Sequence, residues 1–332
     1  MGTRRAGRNT GRSSSMVRSR YAELIDVGKI EIKEEFVDIT EEQVLIQITH
    51  CGLCQYDGAY FQGIIGTPPL RLGHEPVGIV AAVGRKVKGV QEGERVTGLF
   101  AHLSAFADYV RAEPHELMRV PEHIRSEHAL VEPLKCIATI VRSAPPELGD
   151  HVLVMGCGFM GLLTLAGLAG KAPASLIAVD LLENRLQLAK ELGATHTLNA
   201  KDADFQDAIQ DITQGRGVDI AFEVTGNAVA AGLAARALRP HRAKYAFAGW
   251  YGKPAEYTLR NWTTKGAEIV TPHPKYSLDP ADDMRRAMDA LIRGVFPMEK
   301  VVTHAFPLEN VQEGFDTMLS AREGYIKGVV TP

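Results

Sequence analysis

From residue 21 to about residue 147 apolar and polar positions alternate in short runs cut by glycine and proline, as in QVLIQITH at 43–50 and EPVGIVAAVG at 75–84. A period of two with frequent breaks predicts short, half-buried strands, so this stretch reads as a β-rich domain. At His151 the rhythm changes. The apolar run HVLVM precedes a cluster of glycines and a helix-like stretch, and SLIAVD at 175–180 precedes ENRLQLAKELGA at 183–194. VDIAFEV, AVAAGLAARAL, AKYAFAG and AEIVTP continue the alternation to residue 272. Strand and helix in regular succession predict a doubly wound parallel sheet with helices on both faces, over about 148–295. The tail from Phe296 has a strand-helix-strand pattern that predicts a return to the first domain, giving that domain the segments 21–147 and 296–332. No internal repeat is visible.

Composition leaves that picture intact and narrows the function. The chain has 332 residues, 45% hydrophobic and 23% charged, near the length at which single cores divide. It contains no apolar run long enough to span a membrane, and a net charge of −3 gives no field for gripping nucleic acid. A small-molecule partner is expected. Four cysteines, Cys51, Cys54, Cys136 and Cys157, are too few and too unevenly placed for a disulfide framework, which predicts a reducing, cytoplasmic setting. Residues 1–20 hold six arginines and no acid, leaving 31 basic against 40 acidic residues in the remainder. That leader lacks the apolar core of a secretory signal and is expected to be disordered, with Met16 a candidate start.

Gly156-Cys157-Gly158-Phe159-Met160-Gly161 follows the HVLVM run and opens the next helix pattern. In that context the first glycine permits a tight turn, the second admits a pyrophosphate, and the third lets helix pack on strand, while free N–H groups receive the anion. Asp180 ends the following strand, where a carboxylate can accept hydrogen bonds from an adenosine ribose. A 2′-phosphate would be repelled there, Leu181 and Leu182 offer it no charge, and Arg185 would reach it only by folding back. NAD is therefore expected rather than NADP.

Cys51-Gly-Leu-Cys54-Gln-Tyr56-Asp57 contains a C-x-x-C that by itself fits a zinc knuckle or a redox pair. No second C-x-x-C closes a four-thiolate site. Gly73-His74-Glu75 and Glu132-Pro133 instead offer an imidazole and two carboxylates, so a mixed S, N and O site of the catalytic zinc kind is possible.

With GLCQYD at 52–57, GHEPVG at 73–78, GERV at 93–96, VEPLKC at 131–136, the glycine loop and FEVTG at 222–226 on view, the chain resembles the zinc-dependent alcohol and polyol dehydrogenases. These belong to the medium-chain dehydrogenase/reductase family, and the likeness is to the branch of sorbitol and threonine dehydrogenases, over roughly residues 20–330. The resemblance implies an α/β fold, a Rossmann NAD-binding sheet beside a GroES-like catalytic domain. It implies Cys54 and His74 as zinc ligands, Glu75 as a ligand that comes and goes in turnover, and Glu132 as one that binds directly or through water. Asp57 would orient the ligand histidine, and Thr225 and Gly249 would line the nicotinamide. Cys51 and Cys136 read as buried apolar residues, Cys136 remaining a fallback ligand on the face of Glu132.

The resemblance further implies hydride transfer between NAD and a secondary alcohol or ketone of a polyol, sugar, cyclitol or hydroxy amino acid, in a homodimer or homotetramer. Simple primary alcohols are the alternative substrates. A zinc-free enone or quinone reductase using NADPH, or a non-catalytic binding protein, would lack the ligand set. Two departures stand out. Tyr56 occupies the position where the family has the Ser or Thr that starts a proton relay, so its phenol would serve or merely fill space. Between Gly98 and Phe106 there is no four-cysteine lobe, so one catalytic zinc and no structural zinc is expected. Arg239-Pro-His241-Arg242 replaces a glycine turn, with no functional account, and His50, His102 and His241 read as structural.

Overall fold

The structure is a computed structural model that describes residues 16–320 and 324–332. Among these residues a parallel sheet runs in the order His196–Asn199, Ser175–Asp180, His151–Met155, Ile220–Glu223, Lys244–Phe247, Glu268–Val270. Its side chains divide by the period of two. Val152, Val154, Leu176, Ala178, Ile220 and Phe222 face a cluster with the helices Phe159–Ala169 and Glu183–Glu191. Leu153, Met155, Ile177, Val179, Ala221 and Tyr245 face the helices Phe205–Ile212 and Ala228–Ala237. Burial on both faces explains why these strands read as continuous apolar runs.

A second sheet runs Val302–Pro307, Lys327–Thr331, Val44–Gly52, Pro76–Val83, Arg95–Gly98, Leu117–Arg119, with Tyr109–Ala112 also paired to Val44–Gly52. The tail strand Lys327–Thr331 is thus paired with residues 51 and 52, beside the first candidate ligands, and Val302–Pro307 pairs with its other edge. Phe61 and Phe315 stack with ring centroids 4.9 Å apart in the core this sheet shares with the helix Val311–Leu319.

Two expectations need correction or extension. Of the leader, residues 1–15 lie outside the described residues, but Val17–Arg20 begin the strand Val17–Asp26. Arg20 is held by Asp108 through its backbone N–H at 2.7 Å and its guanidinium at 2.8 Å, and Ser19 is fully buried. The positive charges there are strand ion pairs. Packing also crosses the boundary expected at 147/148, because the helix Val131–Ser143 buries Leu134, Ile137 and Ile140 in the same cluster as the glycine-loop helix.

Candidate functional site: a metal cluster beside a nucleotide loop

Cys54 caps the N-terminus of the helix Gln55–Phe61, at the point where the chain leaves the strand Val44–Gly52. Asp57, in the first turn of that helix, is fully buried; its Oδ1 accepts from the Gly73 N–H at 3.2 Å. His74 Nδ1 lies 3.1 Å from the same oxygen and 3.0 Å from Oδ2. With Nδ1–H given to Asp57, Nε2 is left as the basic nitrogen, which is how a carboxylate orients an imidazole toward a metal. Ligand atoms of Cys54, His74 and Glu75 lie within 4.8 Å of one another. Soft sulfur, imidazole nitrogen and carboxylate oxygen form a donor set that suits zinc.

Burial tunes this cluster. It pushes the Cys54 thiol up, with His74 opposing. At His74 burial works against the protonated ring, yet the charges of Asp57 and Cys54 prevail and hold its pKa well above the ordinary value. Glu75 is buried against Gly52, where a Cβ would lie 1.9 Å from Oε2, so only glycine fits. Lys327 Nζ reaches Glu75 at 2.7 Å from Oε1 and 2.6 Å from Oε2, and both side chains are buried. Glu132 stands outside the cluster, at the start of its helix; burial raises its pKa and Cys136 Sγ lies 3.7 Å from its Oε1. Cys51 is in the core and takes no part.

The glycine loop explains itself residue by residue. Gly156 has φ 100°, and a Cβ there would strike Thr225. A Cβ on Gly161 would lie 1.8 Å from the Gly156 carbonyl, whereas one on Gly158 would meet nothing within 4 Å. The second glycine therefore borders open space at the helix start, the place such a loop keeps for an anion. Asp180 Oδ2 accepts from the Cys157 N–H at 2.7 Å, and Oδ1 from the N–H groups of Leu181 and Leu182. The carboxylate thus ties the loop to the sheet. Arg185 is turned to the Tyr325 carbonyl at 3.2 Å. Phe159 packs under Lys327, whose Nζ is 4.6 Å from the ring centroid, while Met160 lies half-buried beside the core.

Thr225 and Gly249 meet at the ends of neighbouring strands. Gly226 and Gly249 allow close backbone contact, a Cβ on Gly249 falling 2.3 Å from the Gly226 nitrogen. Glu223 organises this turn by accepting from Thr225 N at 2.8 Å and from the Thr225 and Tyr251 hydroxyls. Trp250 projects from it, edge-on to Tyr56 at 5.5 Å, and Tyr56 is edge-on to His74 at 5.8 Å. Between the helix Gln55–Phe61 and these turns lies a cavity of about 410 Å³, lined by Gln55, Gln62, Asn227, Trp250 and Lys253 among others. His102 lines a separate cavity, and His241 sits in a turn.

Sequence reasoning did not single out Lys327, Tyr60, Trp250 or Glu223. Tyr60 had a signal, four residues after Tyr56 on a helix; Lys327 had none, since its partner Glu75 is 252 positions away.

Comparison with known proteins places these features in company. Residues 40–122 match the model of the alcohol dehydrogenase GroES-like domain, and residues 160–291 that of the zinc-binding dehydrogenases. Sorbitol dehydrogenase of Bacillus subtilis is 28% identical over 91% of this chain and 94% of its own. Erythritol/L-threitol dehydrogenase of Mycolicibacterium smegmatis is 32% identical over 66% of this chain and 60% of its own. The crystal structure of 2R,3R-butanediol dehydrogenase from Bacillus subtilis superposes with a TM-score of 0.81 at 26% identity, covering 95% of this chain and 99% of that one.

Proposed function

The chain belongs to the zinc-type medium-chain dehydrogenase/reductase family, and from that premise we propose a zinc-dependent NAD(H) oxidoreductase acting on secondary alcohols and ketones of polyols, sugars, cyclitols or hydroxy amino acids. The observation that carries this reading is the convergence of Cys54, His74 and Glu75 within 4.8 Å, joined to the glycine loop through Lys327. When bound, zinc supplies a Lewis acid for the alcohol or carbonyl oxygen, and NAD supplies the hydride acceptor. Cys54 and His74 would hold the ion, with Glu75 as the carboxylate in reach and Glu132 joining through water. Asp57 keeps His74 Nε2 basic and aimed. Thr225 and Gly249 border the nicotinamide end, and Tyr56 takes the proton of the substrate hydroxyl.

The substrate class rests on the relatives, a sorbitol and an erythritol/L-threitol dehydrogenase; the cavity beside the helix Gln55–Phe61 carries the amides of Gln55, Gln62 and Asn227 but none of the candidate metal donors in its lining. For the nucleotide we assign NAD, because Asp180 puts a carboxylate at the end of the strand after the glycine loop, the position the family resemblance gives to the adenosine ribose. We assign one zinc per chain, on the single donor set among the described residues and the missing four-cysteine lobe. We place the protein in the cytoplasm, in keeping with four free cysteines, and as a homodimer or homotetramer; among the described residues no helix is long and apolar enough to cross a membrane. Exposed Ile269 on the edge strand Glu268–Val270, with Leu259 and Leu278 in flanking segments, supports self-association.

Elemental analysis tests the site. The parent should hold one zinc per chain, Cys54→Ala should lose metal and turnover together, and Cys51→Ala should keep both. Two zinc ions, or the reverse pattern of the cysteine variants, would contradict the assignment.

A further inference from the structure

Tyr56 and Tyr60 lie four residues apart on the helix Gln55–Phe61, the spacing that places side chains on one face. Their hydroxyl oxygens are 3.2 Å apart, and their rings meet edge to face with centroids 5.3 Å apart. Tyr56, itself 38% exposed, is the member that touches His74 and Trp250, edge-on to both. Tyr60 is half-buried and fixed against Gly66, where a Cβ would lie 2.5 Å from the ring. Gly66 has φ 68°, so both its conformation and its missing Cβ make room for that ring.

We propose that Tyr60 is a positioning residue that completes the proton route of the dehydrogenase, orienting the Tyr56 hydroxyl and passing its proton on to water. The inference rests on the assignment of Tyr56 above. In the oxidation direction the substrate hydroxyl gives its proton to Tyr56 Oη, Tyr56 gives its own to Tyr60 Oη, and Tyr60 gives its own to water. Both phenols end as they began, and the electron pair leaves the carbinol carbon as hydride to NAD. A hydroxyl can donate and accept at once, so no phenolate need accumulate. The hydrogen bond to Tyr56, with burial second, pushes the Tyr60 pKa up to about 12.

The test uses the zinc-loaded enzyme with NAD and trifluoroethanol, an alcohol that binds without being oxidised. Proton release into a weakly buffered indicator solution is followed by stopped flow. Tyr60→Phe should slow release by about tenfold, below the full range for direct acid-base assistance. Its amplitude, trifluoroethanol affinity, NAD affinity and zinc content should match the parent, and concentrated buffer should restore the rate. In turnover kcat should fall with KM unchanged and the solvent isotope effect enlarged. Unchanged release in Tyr60→Phe with slow release in Tyr56→Phe would overturn this inference and leave Tyr56 assigned. Unchanged release in both would remove the Tyr56 assignment and this inference with it. Loss of zinc or of NAD affinity in Tyr60→Phe would make the residue structural and equally overturn it.

Discussion

Two aspartates each serve twice. Asp57 accepts from the Gly73 N–H as well as from His74, so the side chain that aims the imidazole also shapes the strand entry before it. Asp180 accepts from the Cys157 N–H within the glycine loop while standing at the expected ribose position. Removing it therefore has two effects. Asp180→Ala should raise the KM for NAD by about tenfold, roughly one hydrogen bond to a charged group, and narrow the preference over NADP. Asp180→Asn keeps an acceptor for Cys157 but no charge, and should narrow the preference with the smaller loss of affinity. Steady-state kcat/KM with both nucleotides checks this, and equal use of NAD and NADP by the parent would contradict it. Local motifs such as the glycine loop were legible in the sequence because their partners are neighbours in the chain. Lys327 was not, because its role exists only once the tail strand lies beside Gly52.

Elements show the same division. The inner strands of the parallel sheet, Ser175–Asp180, His151–Met155, Ile220–Glu223 and Lys244–Phe247, could be read from their apolar runs, since they are covered on both faces, whereas His196–Asn199 at one edge is partly exposed and offered no such run. The arginines of the leader misled because Asp108, which neutralises Arg20, is 88 residues away. The turn at 239–242 tolerates φ of 66° at His241 and 62° at Arg242 because ion pairs from Arg239 to Asp219 and from Arg242 to Glu268 pin it. At the same end of the sheet His151, only 5% exposed, lies with Nδ1 2.8 Å from Ser175 Oγ and Nε2 2.6 Å from Arg216. Donation from Arg216 makes Nε2 the acceptor, so the ring is neutral with its proton on Nδ1. Burial and then Arg216 lower its pKa below 6.5, against Asp219 and Asp150, with His196 adding to the lowering. The stability this group contributes is complete above the unfolded pKa of about 6.5 and is lost as pH falls through the lower folded value. Thermal midpoints should therefore drop as pH falls below about 6.5, and His151→Gln should flatten that drop while costing stability at pH 8. A variant with the parent's full acid slope would show that other groups set it.

At the scale of the molecule, the proposed metal donors come from the sheet closed by the tail, and the proposed nucleotide loop from the parallel sheet. Lys327 and the contact of Tyr56 with Trp250 join them across the cleft. The two-part architecture was legible from the change of period at His151. The core crossing residue 147 was not, because helix packing leaves no mark at a boundary in the sequence. Such a site has one direct test, NADH formation at 340 nm across a panel of alcohols in zinc-replete buffer. Secondary alcohols of polyols, sugars, cyclitols or hydroxy amino acids should reduce NAD well above the rate for primary alcohols, and a chelator should abolish the signal. Reduction of enones by NADPH, unaffected by the chelator and with every alcohol inert, would contradict the account.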